Sequence, residues 1–354
     1  MSTASGETDR SGPSQAGDAE PVVTARGLAY RWREHWAQWP DDPVAHEGWA
    51  HHGLSFTSTG ELLAFHPGES RLLRFAQDGR LAGSAPCPVR EAHGLVRVTD
   101  DGIDHVWIAD NAVKSVRLPD GGYGRAASDT PGQVVKVDLE GNLLQKLATP
   151  PRPEYDQGIY SPTTVAVDET RLGGSGDIWV GDGYGQSLVH RFAADGTYLA
   201  TLSGEEGGGR FDCPHAVFID RRRDQPELYI ADRGNARVQV YGLDGQFRRV
   251  IGADFLTSPS AFAAVGDMLV ISELFAAVAL LDEHDQLVGT IGANPSATDR
   301  PGWPNTQTDG RVDRAPVREG AFNSPHGIAA DEGGSIYVSE WLVGGRLIKL
   351  EPVT

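Results

Sequence analysis

At 354 residues and a formal net charge of −18, the chain lacks the basic surface that nucleic acids and anionic membranes select. Two cysteines, Cys87 and Cys213, give no disulfide framework and fit a cytoplasmic protein. Gly at 44 residues and Pro at 22, with few apolar runs at helical spacing, point to short strands and many turns.

Residues 1–20 are rich in Ser, Gly and Asp without an apolar core, so a disordered tail is predicted there. That tail has neither the basic start nor the hydrophobic stretch of a signal peptide, and no later run is long enough to span a bilayer. Residues 22–36 read as strand-like. One short motif then returns six times in the same phase. Its copies begin His51-His52-Gly53-Leu54, Ala92-His93-Gly94-Leu95, Ser161-Pro162-Thr163-Thr164, Cys213-Pro214-His215-Ala216, Ser258-Pro259-Ser260-Ala261 and Ser324-Pro325-His326-Gly327. Each is followed by an apolar strand and then a second strand, which in five of the six ends on an acidic residue. In the fourth copy, residues 228–232, 238–241 and 247–251 read as the second, third and fourth strands. Asp78-Gly79, Glu140-Gly141, Asp195-Gly196 and Asp244-Gly245 mark tight hairpins.

A period of roughly 40–50 residues built from strands indicates a propeller. The prediction is all-β: six four-stranded blades at 51–88, 89–150, 157–206, 211–253, 256–293 and 322–350, with segment 22–36 joining the last blade to close the ring. A chain this long ordinarily divides into two or more domains, but a propeller spanning 21–354 is a single unit. Two stretches interrupt the repeat. Residues 119–131 enlarge a hairpin loop, and residues 294–318 form a polar, Pro-rich connection read as a lid over the channel mouth.

Down the motif one column reads His52, His93, Thr163, His215, Ser260, His326. The innermost strand of each blade faces the channel, so these residues converge on one axis. His93, His215 and His326 belong to alternate blades and stand in roughly threefold array. Three imidazoles on one side of an ion leave the other side open, the pattern of a catalytic divalent metal, zinc first. The competing reading is a polar channel holding ordered water. His52 is a fourth ligand, a proton shuttle or an unliganded channel residue, and His51 is expected to point the other way because strand residues alternate. A second column reads His66, Asp110, Asp182, Asp232, Glu273, Glu340, where a carboxylate can accept backbone N–H bonds in the following turn.

The blades resemble NHL repeats, and residues 161–241 resemble the peptidyl-α-hydroxyglycine α-amidating lyase domain. The pieces carrying this are Gly181-Asp182-Gly183-Tyr184, Phe211-Asp212-Cys213-Pro214-His215 and Ala231-Asp232-Arg233-Gly234-Asn235-Ala236-Arg237, with less force at His93-Gly94-Leu95 and Ser324-Pro325-His326. The resemblance implies zinc on His93, His215 and His326, Tyr184 as catalytic base and Arg233 as an active-site arginine. It breaks at Phe65-His66-Pro67, where the family has a second arginine after the Phe-His pair. It breaks again at Gly327, where the family's calcium-binding Asp is absent, which argues against calcium. The family's paired cysteines and secretory signal are missing too, which argues against a peptide-amidating substrate.

These groups suit a metal-dependent enzyme acting on a small polar molecule, with neither nucleic acid nor membrane as partner. The leading reaction is lysis of a C–N or C–O bond at a hydroxylated carbon. Tyr184 would be the base, its phenolic pKa lowered by the metal or by Arg233, and His52 a further candidate. Two alternatives are zinc-dependent lactone or ester hydrolysis on the same ring, and a non-catalytic propeller binding a protein partner.

Overall fold

A computed structural model describes residues 20–126 and 130–353; most of the tail expected at 1–20 lies outside them. Six antiparallel sheets form a ring of blades, as the repeat predicted. The first blade runs from Ser55–Phe56 through Leu62–Phe65 and Arg71–Phe75 to Leu81–Pro86. The second comprises Ala92–Asp100, Ile103–Asp110, Gln133–Asp138 and Leu143–Lys146. Blades three, four and five begin at Thr164–Val167, Pro214–Asp220 and Pro259–Val265, and each continues through three more strands in order.

Closure departs from the expected single strand. Residues Val22–Ala25 and Leu28–Arg33 form a hairpin, because Arg26 and Gly27 both take positive φ (40° and 88°), the requirement of a two-residue type I′ turn. Only Leu28–Arg33 pairs with the last strand, Leu347–Pro352, so the sixth blade has five strands. Leu28–Arg33 and Leu347–Pro352 thus share one sheet, which closes the ring between the sixth blade's outer strands.

Alternation along each strand explains why whole strands are buried. In the third blade Ile178 and Val180 face the second blade while Trp179, between them, faces the fourth. Six hydrophobic clusters result, one for each pair of neighbouring blades. Glycine matters where loops cross: a Cβ at Gly79 (φ 82°) would lie 1.8 Å from the Trp36 carbonyl oxygen.

Closure is also clamped by charge. Arg346, 3% exposed, donates to Glu34 beside the N-terminal strand and to Glu340 in the sixth blade. Arg346→Ala strands both carboxylates without their cation and should destabilise the fold by about 3–5 kcal/mol in denaturant titrations. Arg33→Ala, which removes a partly exposed pair with Glu351, should cost no more than about 1 kcal/mol. Equal effects would refute the clamp.

The two interruptions have structure of their own and meet. Ser115–Arg117 pairs with Tyr123–Arg125, and Thr306–Thr308 pairs with Arg311–Asp313. The Val312 N–H donates to the Gly121 carbonyl (3.0 Å), and Arg117 reaches Asp313 (3.5 Å). No helix among the described residues is long and apolar enough to cross a membrane.

Candidate metal and catalytic centre

The second column bonds the following turn as expected at Asp110 and Asp182, through the N–H groups of Ala112 and Gln186, and in five of the six blades it also anchors the loop that leads into the inner strand. Asp110 accepts the N–H groups of Arg90 and Glu91, Asp182 that of Ser161, Asp232 that of Asp212, Glu273 those of Thr257 and Ser258, and Glu340 those of Asn323 and Ser324. With the loop held, the inner strand starts on a bulge. Register shifts between Ala92 and Gly94, Pro214 and Ala216, Pro259 and Ala261, and Pro325 and Gly327. The unpaired residue in each case is the column residue: His93, His215, Ser260 or His326. A bulge turns its extra residue out of the pleat, and here three imidazoles are aimed into the channel.

Each of those imidazoles is tied to the next blade. Nδ1–H of His93 donates to the Thr163 carbonyl (2.6 Å), that of His215 to the Ser260 carbonyl (2.7 Å), and that of His326 to the His52 carbonyl (3.4 Å). A carbonyl can only accept, so the proton is on Nδ1 and each Nε2 presents a lone pair. The rings of His93, His215 and His326 lie 4.6–5.0 Å apart between centroids.

Tyr184 and Arg233 arrive from a third ring of equivalent positions, just beyond the acidic column. The backbone N–H groups of Asn111, Tyr184, Arg233, Leu274 and Trp341 donate to the carbonyls of Glu91, Ser161, Cys213, Ser258 and Ser324. In blade three Gly183 adds one residue before Tyr184; its backbone runs so close to Thr163 that a Cβ would sit 2.7 Å from Oγ1. The Tyr184 hydroxyl then lies 3.1, 3.2 and 3.1 Å from Nε2 of His51, His93 and His215. Both Arg233 Nη atoms are 3.5 Å from it, and the guanidinium sits over the ring at 5.4 Å. Among the described residues no carboxylate forms an ion pair with Arg233.

His52 is a correction. Its ring is 3% exposed, packs edge-on against Trp39 (5.9 Å) and leaves Nε2 without a partner. His51 faces the cluster instead, 4.5 Å from the His93 ring and 4.6 Å from that of His326. The two side chains do point opposite ways, as alternation predicted, but in the reverse phase. The first blade's inner strand begins only at Ser55, so residues 51 and 52 lie outside its ladder and the repeat does not set which of them faces the centre. His52 contributes its backbone oxygen, which accepts from His326 and from Ser339 Oγ. Accordingly His52→Phe should keep stability within about 1 kcal/mol and leave turnover intact, whereas His51→Phe should lose about 10²-fold in turnover. The reverse pattern in melting and rate measurements would restore His52.

The centre combines neutral imidazole lone pairs with one guanidinium, that of Arg233. Burial pushes His93 and His52 down to about 3 and holds His51, His215 and His326 well below the ordinary imidazole range, so all are neutral near pH 7. Burial also raises the Tyr184 phenol, and the opposing pull of Arg233 does not overcome it. The expectation of a phenol lowered by Arg233 is therefore not met by these side chains alone. His326 Nε2 and His93 Nε2 face each other at 3.2 Å with both Nδ1 protons committed elsewhere. Two imidazoles on one zinc ion, each at about 2.0–2.1 Å, stand about 3.3 Å apart in tetrahedral geometry. The donor set fits a late first-row divalent ion.

Proximity alone groups the ligand atoms of His51, His93 and His326 within 4.8 Å. His215 is outside that group, but it shares with His93 and His326 an Nδ1 bond to a carbonyl of the next blade, for which His51 has no counterpart among the described residues, so both triples share His93 and His326. At Gly327, the position beside His326, a Cβ would lie 2.6 Å from both the His52 oxygen and Ser339 Oγ, so the backbone as it runs here leaves no room for a side chain. Below the cluster a channel of ≈ 380 Å³ runs between the inner strands, past Leu95, Val165, Val217, Phe262 and Ile328. Sequence reasoning missed Trp341 as well as His51. Trp341 follows Glu340 as Arg233 follows Asp232, a correspondence visible in the repeat.

No protein-family model matches the chain. It is 28% identical over 224 residues to the peptidylglycine α-amidating monooxygenase of Rattus norvegicus, covering 59% of this chain and 20% of the rat protein. It is 27% identical over 216 residues to human NHL repeat-containing protein 3, covering 56% of each chain. The matched region is thus a fifth of one relative and about half of the other. A virginiamycin B lyase of Staphylococcus aureus, solved with quinupristin, superposes with a TM-score of 0.55 at 11% identity, over 92% of this chain and all of that one, a likeness of fold. The similarity to amidating enzymes and NHL-repeat proteins read from the sequence is borne out.

Proposed function

We propose that the protein is a divalent-metal-dependent lyase that cleaves a C–N or C–O bond at a hydroxylated carbon of a small molecule. One observation carries this reading: three imidazoles, each locked through Nδ1 to the neighbouring blade, converge through Nε2 beside the hydroxyl of Tyr184. His93, His215 and His326 would hold the ion, which when bound supplies Lewis-acid stabilisation of negative charge on a substrate oxygen.

The chain's own groups do the rest. The substrate hydroxyl would sit against Tyr184 Oη and pass its proton into the Tyr184–His51 pair. His51, whose Nε2 lies 3.1 Å from the phenol, would support that proton as a hydrogen-bond partner, since burial holds its imidazole well below the ordinary range and disfavours storing the proton on the ring. The oxygen lone pair closes the C=O bond, the C–N or C–O bond breaks with its electrons going to the leaving atom, and the proton returns there. Arg233 holds a fixed positive charge at this point without an acidic partner to neutralise it, and costs no reorganisation during the reaction.

Metal-loaded protein should convert a simple carbinolamide to an aldehyde and an amide, lose that activity to a chelator and regain it with zinc. Hydrolysis of lactones or esters instead would assign the hydrolytic chemistry. Turnover of neither class would remove the catalytic reading and leave a binding propeller.

A further inference from the structure

The strongest feature not used above is a strip of aromatic rings leading outward from the histidines. Trp341 occupies in blade six the place that Tyr184 and Arg233 occupy in blades three and four. Its ring lies 5.7 Å from that of His51, stacks on Trp49 at 5.4 Å and meets Trp303 edge-on at 6.1 Å. Trp303 comes from the 294–318 insertion and is pinned by its Nε1–H, which donates to the Asn323 carbonyl (2.9 Å). Phe275, 45% exposed, extends the strip 5.7 Å beyond Trp303. Trp341, Trp303 and Trp49 remain partly open, as do Trp36 and Trp39 away from the histidine cluster, whereas Trp32, Trp179 and Tyr229 are wholly buried. What sets this strip apart is its contact with His51.

We infer that this strip binds the non-reacting part of the substrate, and that this part is a flat apolar group such as an aromatic ring. The inference rests on the catalytic reading, since it places the hydroxylated carbon at Tyr184 and its substituent against Trp341. Aromatic faces hold either flat rings or cations. Unpaired Arg233 beside the same cluster disfavours a cation, so a neutral ring is the occupant. The rings are already held by stacking and by the Trp303 bond, so little ordering is needed on binding.

The test uses the full-length protein as purified and two carboxylate probes, 2-naphthoate and hexanoate, titrated by calorimetry. Both carry the anion that Arg233 or a metal would attract, so the difference reports the ring. 2-Naphthoate should bind at least about tenfold more tightly. Trp341→Leu and, independently, Trp303→Leu should remove that preference while leaving hexanoate unchanged, each variant first checked for a wild-type melting profile. Equal binding of the two probes, no binding of 2-naphthoate, or a preference that survives in the folded variants would overturn the inference. Metal analysis of the same sample judges the catalytic reading separately, because a ring preference in protein that takes up no metal would keep the strip as a ring-binding site while removing the metal-dependent reaction.

Discussion

Purified without chelators, the protein is expected to carry about one zinc or similar divalent ion per chain, and His93→Ala, His215→Ala and His326→Ala should each reduce it to background. The expectation follows from three Nε2 lone pairs converging where burial forbids protonation, with two of them 3.2 Å apart. Each imidazole is held by a carbonyl of the next blade, so losing one removes a ligand without loosening the other two. Because the ring positions these ligands only when folded, zinc should also raise the melting temperature. At a free concentration a hundred times its Kd the gain is about 2.7 kcal/mol, and the three alanine variants should show little of it. Elemental analysis and paired melts decide the matter. Protein that contains no metal, takes up none on addition and melts identically with and without zinc would end the metal reading.

Tyr184→Phe and Arg233→Met should each leave metal content unchanged and reduce turnover by about 10²-fold or more. Tyr184→Phe deletes the one hydroxyl that touches three of the four imidazoles, with almost no change in volume. Arg233→Met keeps much of the apolar stem over the Tyr184 ring and deletes the charge. The double variant should be little worse than either single one, because phenol and guanidinium act on the same oxygen. If instead the pair only packs blades three and four together, melting temperature falls and turnover in the folded fraction stays near normal. Full turnover in both folded, metal-loaded variants would take these residues out of the mechanism.

Much of the centre is legible in the repeat, for a physical reason. Five of the six blades satisfy the same backbone groups in the same way, so the carboxylates at Asp110, Asp182, Asp232, Glu273 and Glu340 recur at fixed phase, and the column histidines are read in phase with them. Phase then carries His93, His215 and His326 to one axis. The same logic would have reached Trp341 had the position after the acidic column been followed round the ring.

The sequence by itself determined the blade count, the ring closure through the N-terminal segment and the convergence of the column histidines His93, His215 and His326, because these follow from repetition; Tyr184 and Arg233 were reached through the family resemblance alone. Only the tertiary structure decided which of His51 and His52 faces the centre. Those two residues precede the first blade's inner strand, so packing of Trp39 on His52, not a pleat, sets their direction. It also decided that the two insertions meet, through Val312 and Gly121, which no periodicity encodes. Lastly it set the state of the phenol: Tyr184 is raised because the closed ring strips it of water, a cost that depends on surroundings supplied by blades far apart in the chain.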